Sequence, residues 1–484
     1  MNLSRSLRAH ARARGAHSAI EHHGRVVSYA ALDRAVDAAA ALLAGKGVRA
    51  GDPVGVALSD RPEHLAFLYA IARLGGLFVP LDCRWTAAER ERVCESFRVK
   101  LLVAEEGDPA GGVRALEVPA AWIEQAPATA PFPEAPGGGA PFAIYLSSGT
   151  TGLPKGPVLT HANMLARFAI YRSSLAVEAG GRFACVTPLY FSASRGFAMC
   201  ILDGAGTLVL LPPPMPAPQL AAAIRDSGCT STSLVPTLVR RLLEEACGDA
   251  PGCLFPDLRA LISTGAPLNP HERAQAMARL SPDFYTFYGS SEGGGVSVLS
   301  PTDPMSRADS AGRILPGTEV RIVDERFRDL PEGATGRICY RSAATAQNFH
   351  GDSAPLHEGW FLPGDLGHID AGYVYITGRE KDMIIRGGVN IYPEEIERVL
   401  RGHPAVADAA VVGAPSAELG EEVVAYVALR SAVRHEDLAT WCRRELAAYK
   451  VPRRFIEVGD LPKTPVGKPD KAALRQRVHG EASP

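Results

Sequence analysis

Cysteine is sparse in this chain, nine in 484 residues, and no pair of them has the spacing of zinc ligands. That excludes a disulfide framework and a zinc module, and it fits reduced thiols in a cytoplasm. Neither sign of charge dominates: 51 Lys and Arg against 53 Asp and Glu leave a net charge of −2 with histidines neutral. A nucleic-acid binder acting through a broad basic field is therefore excluded. Long apolar runs are missing as well. The most apolar stretch, residues 183–218, holds Arg195, Asp203 and a series of prolines, so its backbone could not satisfy itself as one helix in lipid. No membrane span is expected, and no internal repeat is found. What is present is ordinary globular usage, 46% hydrophobic and 21% charged, which excludes extensive disorder. The length corresponds to about three average domains.

Residues 1–15 are rich in arginine and free of acids, a texture shared by transit peptides and amphipathic helices. Leu3 and Leu7 among alanines and arginines favour a first helix. From residue 26 to about 103, β-branched runs alternate with helical apolar spacing: strands at 52–58 and 78–81, helices at 64–74 and 87–97. Such alternation predicts a layered α/β fold with largely parallel sheets. Residues 119–140, rich in Pro, Ala and Gly, read as a connecting loop. Strands follow at 183–186, 207–211 and 231–235, with helices at 217–226 and 237–246. Near Gly372 the texture changes to a hairpin arm at 373–377, a short strand at 382–385 and the turn Gly387-Gly388. Pro393 then opens a helix with Glu394 and Glu395 in its first turn, where the helix dipole favours acids. These features predict two domains, 1–379 and 380–484, the second a small α+β unit.

The densest chemical signal is Tyr145-Leu-Ser-Ser-Gly-Thr-Thr-Gly-Leu-Pro-Lys-Gly156, a loop after an apolar strand. Glycines let backbone N–H groups converge on an anion, hydroxyls add donors, and Lys155 adds positive charge, a set suited to polyphosphate oxygens. It is not a Walker A loop, since no Gly-Lys-Ser/Thr follows.

With this loop, Ser147 to Gly156, the chain resembles the adenylate-forming superfamily of acyl-CoA synthetases, luciferases and peptide-synthetase adenylation domains. The resemblance is an ordered series over nearly the whole chain. Ser263-Thr-Gly-Ala-Pro267 is similar to the family's adenine turn, Tyr288-Gly-Ser-Ser-Glu292 to Tyr-Gly-x-Thr-Glu, and Gly364-Asp365 with Gly378-Arg379 to its ribose contacts. Arg386-Gly-Gly-Val-Asn-Ile-Tyr-Pro393 resembles the turn after its hinge, and Pro462-Lys-Thr-Pro-Val-Gly-Lys468 its final lysine motif. The resemblance implies a large layered N-terminal domain that binds ATP and the acid, and a small mobile C-terminal lid.

It also implies roles. Ser147, Ser148, Gly149, Thr150, Thr151, Gly152 and Lys155 would bind the ATP phosphates. Gly265, Ala266, Pro267, Tyr288, Gly289 and Ser291, with Asp365 and Arg379, would bind adenine and ribose. The Tyr288 ring offers a face for a purine. Glu292 supplies a hard oxygen for Mg²⁺, which typically uses one or two carboxylates together with substrate phosphates. Ser291 stands where the family usually has Thr. Lys468 would neutralise charge as a carboxylate oxygen attacks the α-phosphorus. Lys381 occupies the family's hinge position, and Gly387 with Gly388 would line a channel for the CoA thiol.

The acid is expected to meet Phe191, Ser192, Arg195 and Gly293. α-Amino-acid adenylation domains carry Phe-Asp-x-Ser, where the Asp binds the ammonium. This chain has Phe191-Ser192-Ala193-Ser194, which removes that countercharge and argues against an amino-acid substrate. Arg195 either pairs with a polar or anionic group of the acid, or faces solvent or caps local backbone. The run Gly293-Gly294-Gly295 is expected to leave room near the acid. No carrier domain follows Lys468, so free CoA is the expected acceptor, with the phosphopantetheine of a separate carrier protein as the alternative. The acid's identity stays open among aromatic, alicyclic, short-chain and medium-chain carboxylates, and so does the oligomeric state, a homodimer included. The expected reaction is ATP-dependent, AMP-forming acid–CoA ligation.

Overall fold

A computed structural model describes residues 1–107, 112–146, 156–248, 252–350, 355–386, 389–416, 419–464 and 468–481. The chain divides into two compact units: residues 1–319 with 340–361, and residues 320–339 with 362–484.

In the N-terminal unit, one sheet has the order Asn348–His350, Gly156–Thr160, Pro141–Ile144, Leu77–Pro80, Pro53–Ala57, Leu101–Glu105 and Ala115–Val118. Its last five strands are parallel, and Gly156–Thr160 turns back antiparallel beside Pro141–Ile144. A second run of strands is ordered Gly294–Leu299, Phe284–Ser290, Ala260–Thr264, Ser231–Leu234, Arg182–Cys185, Thr207–Leu210 and Ser18–His22. It is parallel from Phe284–Ser290 through Ser18–His22. The alternating sequence pattern produces this arrangement, because parallel neighbours need a crossover, and helices supply it.

The two sheets share one core. Val54, Val56, Leu101 and Phe142 from the first join Ile20, Phe183, Leu208 and Ile262 from the second. The helix Pro62–Leu74 lies in that core with every residue buried. Pro62 presets its first turn and Gly75, at φ 85°, closes it in the left-handed region. Its buried Arg73 is paired with Asp37 at 2.7 Å and also with Asp33. Residues Ser4–Ala13 form the expected first helix, with Leu3 and Leu7 buried and Arg8 on Asp37 at 2.6 Å. The helix Ala217–Asp226 has the bounds the sequence predicts, while Trp122–Gln125 adds a helical turn inside the expected loop.

The C-terminal unit is built on a sheet whose long strands, Val406–Ser416 and Gly420–Leu429, run antiparallel. Alternation places Ala409 and Val411 on one face, with Ile396, Leu400 and Leu438. Ala410, Val412 and Ala414 lie on the other, with Leu474 and Val478. The sheet is thus covered on both faces by helices, Pro393–Arg401 and His435–Glu445 on one side and Lys471–Glu481 on the other. The predicted boundary near residues 379–382 falls on the short 3-10 turn Glu380–Asp382 of this unit.

Lys471 anchors its helix through Glu397 at 2.9 Å and Glu394 at 3.3 Å, and Glu397 also accepts the Val411 N–H at 2.8 Å. Burial alone would push the ammonium down. Glu397, Glu394 and Asp382 outweigh it and hold Lys471 above the ordinary lysine range. Removing the cation leaves the buried Glu397 with the Val411 N–H and, as its cationic partner among the described residues, Arg401 3.6 Å away. Lys471→Ala is expected to lower the stability of this unit by about 3 kcal/mol in a denaturant titration.

Candidate active site

Ala260–Thr264 and Phe284–Ser290 are parallel neighbours, with Thr264 paired to Phe287. The Thr264 hydroxyl also donates to the Phe287 carbonyl at 2.9 Å. One step further along, the chain leaves the first strand through Gly265 at φ 99°, a conformation that favours glycine, while the neighbouring strand continues into Tyr288. The adenine turn and the aromatic residue expected to stack on a purine are therefore brought to adjacent strand ends.

After Tyr288 the strand bulges at Gly289 and turns through Ser291, Glu292 and Gly293 into Gly294–Leu299. The turn is held by its backbone. Arg167 donates from Nη2 to the Ser291 carbonyl at 3.0 Å and to the Glu292 carbonyl at 3.1 Å. Ala346 N–H reaches the Glu292 carbonyl at 2.9 Å, and Thr345 Oγ1 the Gly293 carbonyl at 3.2 Å. With the main chain fixed, the Glu292 carboxylate has no hydrogen-bond or ion-pair partner among the described residues. No group of three or more His, Cys, Asp or Glu side chains fit to hold a metal occurs among the described residues. A single free carboxylate suits Mg²⁺ shared with substrate phosphates and does not suit an all-protein cage.

Arg167 was not singled out from the sequence. The signal is there all the same: in the helix His161–Ser174 the buried positions are His161, Met164, Arg167, Phe168 and Tyr171, a helical stripe with an arginine in it.

The expected room around Gly293-Gly294-Gly295 is absent. A Cβ on Gly293 would stand 2.1 Å from the Tyr340 hydroxyl, one on Gly294 2.8 Å from the Ala344 Cβ, and one on Gly295 2.7 Å from the Phe287 ring. The glycines admit neighbouring side chains and backbone; the space is already filled. The Tyr340 hydroxyl is also 2.9 Å from Ser290 Oγ.

The acid segment meets this turn directly, because Ser192 Oγ lies 2.7 Å from Ser291 Oγ. Phe191 precedes the helix Ser192–Asp203, and Arg195 lies in its first turn. Arg195 does not face solvent; it is fully buried. Its Nη1 donates to the carbonyls of Leu189 at 2.8 Å and Tyr190 at 2.9 Å, so the backbone-capping alternative describes its contacts. Its guanidinium lies 4.3 Å from the centre of the Tyr145 ring and 5.3 Å from that of Phe78. Burial lowers its pKa from the arginine value, and no ion pair satisfies it among the described residues.

Asp60, also missed in the sequence, grips the same segment from the other side by accepting the Leu189 N–H at 2.7 Å. The Tyr190 hydroxyl is bonded to Arg84, which in turn pairs with Asp82 at 2.7 Å. Burial pushes the Asp60 carboxyl up to about 6, with Asp82 adding to the rise, against the lowering pull of the Leu189 N–H and of Arg84.

In the C-terminal unit, Asp365 and Arg379 are opposite residues of an antiparallel pair, with Arg379 Nε 3.0 Å from the buried Asp365 carboxylate. The two expected ribose contacts are thus side by side. Lys381 is exposed on the following turn, where its carbonyl and the Asp382 carboxylate accept from Arg475 at 3.4 and 2.7 Å. Lys468 is held by its main chain: its carbonyl accepts from Thr464 N–H at 2.7 Å, and its N–H donates to Thr464 Oγ1 at 3.3 Å. The expected phosphate-binding residues 147–152 and 155, and Gly387 and Gly388, lie outside the described residues.

A layered α/β unit with a glycine turn at the end of one strand, Tyr288 on its neighbour and an unengaged carboxylate on the next turn fits an enzyme that uses a nucleotide. Comparison with known proteins makes the assignment specific. The family model for AMP-binding enzymes matches residues 7–350, and that for the AMP-binding enzyme C-terminal domain matches 395–468. Indoleacetate–CoA ligase of Aromatoleum aromaticum is 32% identical over 99% of this chain and 98% of its own length. The fatty acid–[acyl-carrier-protein] ligase ScoC of Streptomyces coeruleorubidus is 32% identical over 95% of this chain and 93% of its own. Among solved structures, ATP-bound MatB from Rhodopseudomonas palustris superposes with TM-score 0.87 at 26% identity, covering 99% of both chains. The Bacillus subtilis o-succinylbenzoate CoA synthetase MenE, in complex with its acyl-adenylate, gives 0.87 at 26% identity over 97% of both. The chain belongs to the AMP-binding enzyme family, the adenylate-forming superfamily that its motifs resemble. It is an enzyme, an acid–thiol ligase of the acyl-CoA synthetase type. No helix among the described residues is long and apolar enough to cross a membrane.

The raised Asp60 carboxyl has a stability consequence with a definite sign. Its folded value lies above that of a free aspartate, so the folded chain binds the proton more tightly. Folding therefore gains stability as pH falls through about 6 toward 4, and the charged form weakens it above 6. Asp60→Asn, which keeps an acceptor for Leu189 N–H, is expected to raise the melting temperature by roughly 2 °C at pH 7.5. The gain should shrink toward pH 5 when the two proteins are compared by scanning fluorimetry.

Proposed function

We propose that this chain is an ATP-dependent, AMP-forming acid–CoA ligase acting on a carboxylic acid other than an α-amino acid. The observation that carries this reading is the 2.7 Å contact of Ser192 with Ser291, which sets the acid segment against the turn bearing Glu292. A carboxylate there would lie near the α-phosphate of a nucleotide stacked on Tyr288. The same contact supports the exclusion of amino acids, since a hydroxyl stands where an ammonium would need a carboxylate.

In the first half-reaction a substrate carboxylate oxygen attacks the α-phosphorus, and pyrophosphate leaves with the electron pair of the broken P–O bond. Residues 147–155 cradle the phosphates, and Lys468 offsets the charge that develops on the α-phosphate. Glu292 would hold Mg²⁺, which supplies neutralising charge to the triphosphate. Asp365 accepts from the ribose hydroxyls while Arg379 fixes its carboxylate. In the second half-reaction the CoA sulfur, having lost its proton, attacks the acyl carbon, and AMP leaves. Lys381 serves as the hinge of a lid spanning 380–484, and Gly387 with Gly388 line the thiol's approach.

A second reading keeps the chemistry and changes the acceptor to a carrier protein's phosphopantetheine. It is favoured by the 32% identity to a fatty acid–[acyl-carrier-protein] ligase.

A panel of aromatic, alicyclic, short-chain and medium-chain acids with Mg·ATP, with and without CoA, tests both. Acid-dependent pyrophosphate release with thioester formed only when CoA is present is expected. Pyrophosphate release without any CoA thioester would favour the carrier reading, and no release with any acid would overturn the proposal. Lys468→Ala should slow adenylation by about 100-fold yet convert preformed acyl-adenylate to thioester at close to the unmodified rate. An equal fall in both half-reactions of a folded variant would refute that division of labour.

A further inference from the structure

Arg195 and Arg167 share one aromatic ring. The Tyr145 ring has the Arg195 guanidinium 4.3 Å from its centre and that of Arg167 at 5.9 Å. Both arginines donate to backbone carbonyls of different turns, and Arg167 also reaches the Ala344 carbonyl from Nε at 3.2 Å and from Nη2 at 3.1 Å. Arg195 holds Leu189 and Tyr190, the residues just before Phe191. Arg167 holds Ser291 and Glu292. Tyr145 itself is buried and lies two residues ahead of the loop that begins at Ser147.

A buried guanidinium with no carboxylate partner is costly, and Arg195 also leaves its Nε without a hydrogen-bond partner. The guanidinium's place over the aromatic rings offsets part of that cost, which a lysine ammonium on a flexible stem reproduces poorly. The contacts commit Nη1 to protein carbonyls.

We propose that Arg195, Tyr145 and Arg167 form a positioning stack that couples the wall of the acid site, residues 188–191, to the turn that carries Glu292. Naming residues 188–191 as that wall rests on the function proposed above; the coupling itself does not. Because both guanidiniums lean on one ring, a change at either arginine alters the footing of the other. The carboxylate of the acid and the phosphate-side carboxylate Glu292 are thereby held in register by one buried unit. None of the three side chains is required to touch substrate.

Hydrogen–deuterium exchange of the full-length protein tests the coupling without any substrate. The reporters are the amides of Leu189 and Phe191 for one turn, bonded to Asp60 and Pro188, and those of Gly293 and Ala346 for the other, bonded to Ser290 and Glu292. Arg195→Lys is expected to speed exchange about tenfold at 189–191 and also, several-fold, at 291–293, which Arg195 does not hold. Arg167→Lys should show the converse. Tyr145→Leu should loosen both turns, Tyr145→Phe neither, and Arg195→Lys combined with Tyr145→Leu should be no looser than the worse single variant. Loosening confined to the turn each arginine holds, or additive effects in the double variant, overturns the proposal. If the arginine variants do not fold, the Leu and Phe variants at Tyr145 decide alone.

A kinetic arm uses the best acid from the panel. Arg195→Lys should raise the KM for uncharged-tail acids and for dicarboxylates alike. A loss confined to dicarboxylates would make Arg195 a substrate contact and refute the positioning role. If no acid is turned over, the functional reading fails while the exchange result still decides the stack.

Discussion

Carbonyl oxygens at sharp turns have no strand or helix partner, and leaving them dry and unbonded is expensive. In this enzyme two turns, at 189–190 and 291–292, meet that demand with guanidinium groups. Arg167 answers for Ser291 and Glu292, and Arg195 for Leu189 and Tyr190. A guanidinium suits the task because its planar fork can serve two acceptors while its face rests on an aromatic ring. With the main chain secured this way, the Glu292 carboxylate keeps no hydrogen-bond or ion-pair partner among the described residues, and Ser291 meets Ser192. Rigidity of the backbone and freedom of the functional atoms come from the same contacts.

The C-terminal unit reaches the same end by ion pairing. Lys471 and Arg475 lie one turn apart on the last helix and reach Glu397 and Asp382 respectively. Arg475 also bonds the carbonyl of Lys381. The helix that starts three residues after Lys468 is thus fastened to the segment proposed as the hinge. Within this unit the last helix and the turn at Lys381 are joined by these contacts.

Much of this was legible in the sequence because local rules and tertiary packing agree. The alternation of strands and helices gave the layered α/β class, and the resemblance to the adenylate-forming superfamily pointed to Tyr288, Glu292, Asp365 and Arg379, of which the last two form a strand pair. Arg195 was visible as an oddity, but its burial depends on Tyr145 and Phe78, 50 and more residues away in sequence. Arg167 and Asp60 were missed for the same reason: an arginine that satisfies carbonyls and an aspartate that satisfies an N–H carry no spacing signature. The glycine run at 293–295 was read as open space. In sequence, a glycine that leaves a void and one that admits a neighbour look identical, and only the position of Tyr340 separates them.

The fit of the Tyr340 phenol against Gly293 carries an evolutionary corollary. Substituting the glycine with anything larger collides before it reshapes the cleft, so that position is closed to stepwise change. Shortening the phenol would leave a void beside the turn between the strands Phe284–Ser290 and Gly294–Leu299. A side chain at 293 would therefore need residue 340 to shrink first, with the glycine following and never leading.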